Sequence, residues 1–381
     1  MTWDLKYSCY VWRMEERQTI QPSAPSLQIK GRGAVGNRAG RFEPYVVEAD
    51  DDGWPTELDD LPPLRTTVGR DTSKSIITTN KSPDISFDRS INPYRGCEHG
   101  CVYCFARPTH AWLGLSPGLD FESRLFAKED AAELLQRELA ANNYTPKLIA
   151  IGTNTDPYQP IERRLRIMRD VLGVLRDAHH PVTITTKSDA VLRDIDILKD
   201  MAAEQLVHVT ISVTTLDRTM ARTMEPRAAS PHRRIAAIRT LAAQNIPVAV
   251  NVAPIIPGLT DHELEQILSQ SADAGAMAAR YILLRLPLEV KDLFDEWLTA
   301  HYPDRRSKVL SLIRSARGGK LNDANFGSRM AGAGAYAEII RDRFRKARAR
   351  LELDPRDEDA WLDTTKFVAP KLPGSQMTLD L

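Results

Sequence analysis

The chain has 381 residues, of which 42% are hydrophobic, with 51 Lys and Arg balancing 51 Asp and Glu. That length allows one large core with extensions, and the balanced charge excludes a general attraction to polyanions. No apolar run reaches the roughly 18 residues of a membrane span, and Met1 to Ile20 mixes charges among its aromatics, so neither a span nor a secretory leader is expected. Four cysteines, three of them clustered, point to a reducing compartment, with the cytoplasm as the expected location.

Residues 1–82 read as a largely irregular extension. Pro22, Pro25, Pro55, Pro62 and Pro63 interrupt any long helix, and charged clusters such as Asp50-Asp51-Asp52 alternate with turn residues. Gly31-Arg-Gly-Ala-Val-Gly36 matches the G-x-G-x-x-G pattern, but a dinucleotide fingerprint follows a strand and opens a helix. Asn37 to Pro44 has no helical apolar period and soon meets proline, so no nucleotide is expected there.

The densest chemical signal is Asn92-Pro-Tyr-Arg-Gly-Cys-Glu-His-Gly-Cys-Val-Tyr-Cys-Phe-Ala-Arg107. Three thiolates on one loop, from Cys97, Cys101 and Cys104, can hold three irons of a [4Fe-4S] cube and leave the fourth iron without a protein ligand. The remaining cysteine, Cys9, lies far upstream. Two other readings stay open on the residues alone: an ordinary electron-transfer cluster, and a zinc site completed by His99 or His110.

From Pro83 the pattern becomes regular. Strands are expected at Ile85–Asn92, Leu148–Gly152, Val182–Thr186, Val207–Val213, Val248–Ala253 and Tyr281–Leu286. Between them, Ile161, Leu165, Met168, Leu172 and Leu175 recur at helical spacing, as do Val191, Leu192, Ile195 and Leu198, then Ile235, Ile238 and Leu241, then Leu264, Ile267 and Leu268. Six such units predict an α/β fold over residues 83–300 with a parallel sheet, whose chemistry sits at the carboxyl ends of the strands.

Those ends carry polar residues. Gly152-Thr-Asn-Thr-Asp-Pro-Tyr-Gln-Pro160 reads as a rigid ligand-facing loop, with Asp156 and Tyr158 as candidates to face a substrate. Lys187 ends the third strand, where it can pair with a carboxylate as a point charge. Ser212 and Thr214 offer hydroxyls on the fourth, Asn251 opens an apolar turn on the fifth, and Arg285 on the sixth suits either a substrate anion or an internal carboxylate.

Residues 301–370 read as C-terminal helices, from Val309, Leu310 and Ile313 and from Ile339, Ile340 and Phe344. The stretch from Asp304 to Arg350 holds 13 Lys and Arg against 4 Asp and Glu, expected mainly as a solvated helix surface. Between the helices, Gly318 to Gly334 reads as a connecting loop in which Arg329 could cap the barrel or hold a phosphate. Residues 371–381 form an expected free tail.

The cysteine run with Tyr103 before its last cysteine resembles the signature loop of radical S-adenosylmethionine (SAM) enzymes. Together with Ala106-Arg-Pro-Thr-His110, Asp120-Phe-Glu122, Lys128, Thr153-Asn-Thr-Asp-Pro-Tyr-Gln-Pro160, Thr186-Lys-Ser188 and Glu225-Pro226, it resembles the branch containing spore photoproduct lyase. The resemblance implies a partial (β/α)6 TIM barrel and an enzyme in which SAM chelates the open iron and is cleaved to a 5'-deoxyadenosyl radical, for a lyase or another radical reaction. It implies cluster ligation by Cys97, Cys101 and Cys104, backbone contact of Tyr103 with adenine, Thr153, Asn154 and Thr155 near the SAM amino group, Lys187 on its carboxylate, Ser212 and Thr214 near its methionyl or ribose groups, and Asn251 near adenine. A reductant such as flavodoxin or ferredoxin follows as a partner, and DNA repair on nucleic acid as a role. The chain departs from that branch in having no cysteine between Phe105 and Leu381, so the thiol that returns hydrogen in lesion reversal has no counterpart near the cluster. Gln376, Leu379 and Leu381 resemble the peptide by which bacterial repair proteins dock on the sliding clamp, which would place the enzyme on DNA. The rival readings are an iron-sulfur protein that binds nucleic acid or senses redox state without SAM turnover, and a zinc-stabilised scaffold.

Overall fold

The computed structural model describes residues 29–43, 64–353 and 361–372; Cys9 and the clamp-like tail lie outside them. Among these residues the strands are β1 (Thr67–Arg70), β2 (Ile77–Thr79), β3 (Arg89–Ile91), β4 (Tyr94–Arg95), β5 (Arg124–Ala127), β6 (Ile149–Ile151), β7 (Val182–Thr186), β8 (Val207–Ser212), β9 (Val248–Ile255) and β10 (Ala278–Leu283). The larger sheet runs β10-β9-β8-β7-β6-β3-β2. From β3 to β10 every neighbour is parallel, and β6 to β10 are consecutive while β4 and β5 leave for the second sheet between β3 and β6; the result is the six units of an open partial barrel, with β2 joining β3 antiparallel at the edge. A second sheet, β1-β5-β4, was not foreseen. Its strands are two to four residues long, too short to show a period of two, and β1 and β2 fall within the stretch expected to be irregular.

Alternation within the strands sorts their two faces. Val182 and Ile184, Val207, Val209 and Ile211, and Val248, Val250 and Val252 join the main apolar core with the helices. The residues between them, Thr183, Thr185, Thr210, Ser212 and Asn251, share the other face, and register pairs Thr185 with Thr210 and Ser212 with Asn251. Packed helices thus cover one side of the sheet, and hydroxyl and amide groups line the other.

The helix expected to run unbroken past Ile161 and Leu175 is two helices, Glu162–Leu165 and Ile167–Asp177, separated by Arg166 in the left-handed region at φ 58. The buried Glu162 makes the break. Its carboxylate accepts from Met168 N–H at 3.2 Å, which satisfies a donor of the new helix start, and from Arg193 Nη2 at 2.7 Å and the Tyr94 hydroxyl. Residues Val290–His301, Pro303–Ser315 and Ala335–Arg350 are the C-terminal helices. Phe294, Trp297 and Leu298 pack in one apolar cluster with Val102 and Tyr103, so these helices back the cysteine loop. On the last helix Ala337, Ile340, Phe344 and Ala347 are buried, while Ile339, expected inside, is 55% exposed. Part of the basic surplus is spent locally, with Arg306 on Asp295 and Arg343 on Glu265. Among the described residues no helix is long and apolar enough to cross a membrane.

Residues 361–372 cross the amino ends of the strands. Asp363 N–H donates to Gln205 O and Val368 N–H to Ala178 O, each at 2.9 Å, and Phe367 packs edge-on to His180. The His180 ring is buried and uses both nitrogens: Nδ1–H donates to Pro181 O at 3.0 Å, so the bare Nε2 accepts from the Tyr144 hydroxyl at 2.7 Å. Burial pushes this imidazole down to about 4, partly offset by its bond to Pro181. Between about pH 6.5 and 4 the unfolded chain therefore binds a proton that the native state refuses, and stability falls as pH falls through that window. The urea midpoint of the cluster-free protein is expected to drop across this range, and His180→Gln is expected to flatten the drop.

Candidate active site

The cysteine loop leaves β4 through Gly96, whose φ of 77 and close neighbours leave no room for a side chain: an added Cβ would lie 2.6 Å from Leu125 and 2.9 Å from His110. Cys97 and Cys101 are buried, Cys104 is half-buried, and none is in a disulfide. Cys97 N–H donates to Phe121 O at 2.9 Å and Val102 N–H to Met224 O at 3.1 Å, so backbone bonds fix the loop from two sides.

Arg107 fixes it from below. Fully buried, its guanidinium donates to Cys101 O at 2.9 Å, Gly100 O at 3.2 Å, Pro117 O at 3.0 Å and Gly118 O at 2.9 Å, and it pairs with buried Glu122. Glu122 in turn accepts from Gly33 N–H at 2.9 Å and Ala34 N–H at 2.8 Å. The G-x-G-x-x-G stretch is thus a strap over the cysteine loop. A Cβ on Gly33 would lie 1.8 Å from Gly100 O, so glycine is required there for close backbone approach.

The loop after β6 locks onto the same structure. Gln159, fully buried, accepts from Glu98 N–H at 2.7 Å and donates to Gly96 O at 3.2 Å. Asn92 Oδ1 accepts from Asn154 N–H at 2.9 Å, Asn92 Nδ2 reaches Thr153 Oγ1 at 3.2 Å, and the Thr155 hydroxyl donates to Tyr94 O at 3.0 Å. Asn154 is exposed, whereas the hydroxyls of Thr153 and Thr155 are engaged within the protein. Asp156 bridges the cysteine loop to the end of β7. Its carboxylate accepts from the Thr186 hydroxyl at 2.6 Å and Lys187 N–H at 2.7 Å, with His99 Nδ1 3.3 Å away. Burial pushes this carboxyl up, but His99, Thr186 and Lys187 N–H outweigh it and hold the group near about 2. Asp156 is therefore a fixed anion. Tyr158, read from the sequence as substrate-facing, is instead 1% exposed, its hydroxyl donating to Asp194 at 3.1 Å, because the turn at Pro157 sends the ring into the core.

A second buried ion pair supports Tyr103. Glu225 and Arg234 are paired in the interior, and the Tyr103 hydroxyl donates to Glu225. Thr214 donates to Glu225 at 2.7 Å and lies 3.0 Å from Ala253 O, so its hydroxyl serves this network. Burial pushes Glu225 up, but Arg234, then Lys187, then the hydrogen bonds pull it down to about 2. Lys187 Nζ stands 5.8 Å from the Tyr103 ring centroid and its charge also acts on Cys101, which places the ammonium on the cysteine side of the sheet. Ser212 and Asn251 are neighbours in register below it, and Asn251 Oδ1 is buried with no hydrogen-bond partner. Arg285, half-buried past β10, lies over Phe105 at 4.7 Å.

The donor set fits an iron-sulfur cube. Burial, Asp156 and the neighbouring thiols push the Cys97 thiol up, and burial and Glu225 push Cys101 up to about 12, so a cationic centre such as the cluster would be what holds them as thiolates. No three His, Cys, Asp or Glu among the described residues could hold a single metal ion. His110 Nε2 donates to Arg124 O at 2.9 Å, and His99 faces Asp156, so the histidines of the zinc reading are turned to other partners. A cube spreads its thiolates over separate corners and has no need of so tight a group.

Arg107, Glu122, Gly33, Gln159, Glu225 and Arg234 had no role assigned from sequence. Each meets partners on another element, from nine positions away for Glu225 and Arg234 to 89 for Gly33 and Glu122, and only the glycines of the strap carried a local signal, that of close backbone approach. Breaking the Arg107–Glu122 pair from one side leaves a buried charge unpaired, so Arg107→Met is expected to lower stability by about 3–5 kcal/mol, read from urea unfolding. Replacing both, as Arg107→Met with Glu122→Gln, should cost less than the sum of the single changes.

Residues 91–270 match the radical SAM superfamily. The uncharacterized protein Rv2578c of Mycobacterium tuberculosis is 34% identical over 296 residues, 76% of this chain and 83% of that protein. The uncharacterized protein MJ0683 of Methanocaldococcus jannaschii is 28% identical over 232 residues, 61% of this chain and 82% of that protein. Among solved structures, spore photoproduct lyase complexed with dinucleoside spore photoproduct has the same fold at a TM-score of 0.55 and 17% identity, covering 76% of this chain and 79% of that one. With its three-cysteine loop set at the mouth of six parallel strands, the chain belongs to the radical SAM superfamily, whose enzymes cleave SAM at a [4Fe-4S] cluster.

Proposed function

We propose that Cys97, Cys101 and Cys104 hold the cluster and that SAM is cleaved reductively to a 5'-deoxyadenosyl radical acting on a nucleic-acid substrate. The observation that carries this reading is the meeting of three thiols with one ammonium, Lys187, on the polar face of the sheet. When bound, the cluster would supply an electron and an open iron for the amino-acid end of SAM. Lys187 would neutralise the SAM carboxylate. The unpartnered Asn251 Oδ1 would accept from a donor on the nucleoside, with Ser212 beside it in register. Tyr103 would hold the loop through Glu225 and leave its backbone to adenine. Asp156, ionised far below neutral pH and bonded on both oxygens, would keep the cysteine loop registered against β7 and take no proton.

The nucleic-acid part is supported by the likeness of fold to spore photoproduct lyase. A thiol relay would have only Cys9 to draw on, since no cysteine follows Cys104. A flavodoxin or ferredoxin would supply the electron, and the Gln376–Leu381 tail would bring the enzyme to a sliding clamp.

Anaerobically reconstituted protein is expected to carry one [4Fe-4S] cluster by iron and sulfide analysis, with a spectroscopic signal that changes on adding SAM, and to form 5'-deoxyadenosine on reduction. Replacing any of Cys97, Cys101 or Cys104 by Ala should abolish all three, and Cys9→Ala should leave them intact. Loss of the cluster with Cys9 would falsify the three-ligand assignment. Lys187→Ala should keep the iron but bind SAM roughly tenfold or more weaker by calorimetry, the scale of a lost sheltered charge-assisted bond. Equal affinity would remove Lys187 from the site.

A further inference from the structure

Phe105 follows Cys104 directly and is 42% exposed, although phenylalanine is ordinarily buried. The Arg285 guanidinium covers it at 4.7 Å. A second pair stands nearby: Phe326 is 60% exposed and Arg329 covers it at 4.8 Å. Arg317 locks the two pairs together. Buried, it donates to Leu283 O at 2.7 Å, Leu284 O at 2.8 Å, Ser328 O at 3.0 Å and Arg329 O at 2.8 Å, stitching the glycine-rich loop to the end of β10. It spends its donors on carbonyls, and the carboxylate whose field reaches it is that of Asp323.

The charge of Arg329 opposes that of Arg285, and the fields that favour it come from Asp84 and Cys104. No carboxylate among the described residues hydrogen-bonds Arg285. Asp84, whose field reaches it, is taken by Arg329 Nε at 2.5 Å and Gly327 N–H at 2.7 Å. A half-buried guanidinium short of acceptors, beside two solvent-facing phenyl rings, suits a ligand that carries both an anion and flat rings. Single-stranded nucleic acid has this chemistry, its bases stacking on aromatic faces and its phosphates meeting arginine. A duplex hides the base faces that the phenyl rings would use.

We propose that Phe105, Arg285, Phe326 and Arg329 form a platform for single-stranded nucleic acid, with bases on the phenyl rings and a backbone phosphate on Arg285, which lays the strand against the Cys104 side of the site. The proposal deepens the functional reading above and rests on it for the chemistry, but binding can be measured separately.

The test is fluorescence anisotropy of a labelled ten-nucleotide oligothymidylate titrated with anaerobically reconstituted full-length protein, repeated with a duplex of equal length and with polyphosphate as competitor. The expected result is tighter binding of the single strand than of the duplex, weakened about tenfold by Phe326→Ala and by Arg285→Gln, with Arg345→Ala on the exposed side of the last helix as an unaffected control. Phe326 is 60% exposed on the glycine-rich loop, so its variant is expected to keep the fold and the iron content. Equal affinity for wild type and both variants, absence of oligonucleotide binding, or displacement by polyphosphate as readily as by oligothymidylate would overturn the platform. SAM cleavage is assayed on the same samples. Cleavage retained without strand binding counts against the platform alone, and strand binding without SAM cleavage counts against the functional reading alone.

Discussion

The buried guanidinium of Arg107 holds three stretches of chain in one place: the cysteine loop through Gly100 O and Cys101 O, the turn at Pro117 and Gly118, and the helix residue Glu122, which in turn grips Gly33 and Ala34. A loop with three cysteines in eight residues has little apolar matter of its own to fix it. A charge taken out of water must find its partners at good geometry or cost several kcal/mol, and that demand leaves few alternative positions for any of the three stretches. The spacing of the thiols follows from this constraint.

The same device recurs on the other side of the loop. Glu225 and Arg234 are buried together, and the Tyr103 hydroxyl is drawn to them between Cys101 and Cys104. Asp156 ties the loop to β7. Three carboxylates thus surround the cysteines, each engaged by neighbouring donors, and each works as scaffold. Under the proposed function the groups left to meet small molecules would be fewer: the Lys187 ammonium, the Asn251 amide oxygen and the Ser212 position on the polar face, with Arg285 and the two phenyl rings at the far edge.

The segments at the two ends of the chain serve the core in different ways. Residues 31–36 lie on the cysteine loop and close its outer side. Trp297 and Phe294 back Val102 and Tyr103 from the C-terminal helices, while residues 361–372 cover the amino ends of β7 and β8, away from the chemistry.

The parallel strands β7 to β10 were legible because β-branched runs such as Val182–Thr186 and Val207–Ser212 are long enough to show their pattern, and the cysteine run because its spacing is itself the chemistry. The break at Arg166 was not legible, since the apolar period continues through it and only the buried Glu162 reveals why the helix restarts. Tyr158 was misread for a related reason: a polar loop at a strand end looks alike whether its residues face a ligand or clamp a neighbouring loop. By itself the sequence determined the fold class and the family, both of which depend on local spacing, and it set the three cysteines together on one loop. Tertiary structure alone decided that the glycine strap lies on the cysteine loop, that Asp156 and Glu225 are structural anions, and that Arg285 stacks on Phe105. Those facts depend on which residues meet across separate elements, as Arg32 and Glu122 do over 90 positions of chain and Asp156 and Thr186 over 30, and no local pattern encodes such a meeting.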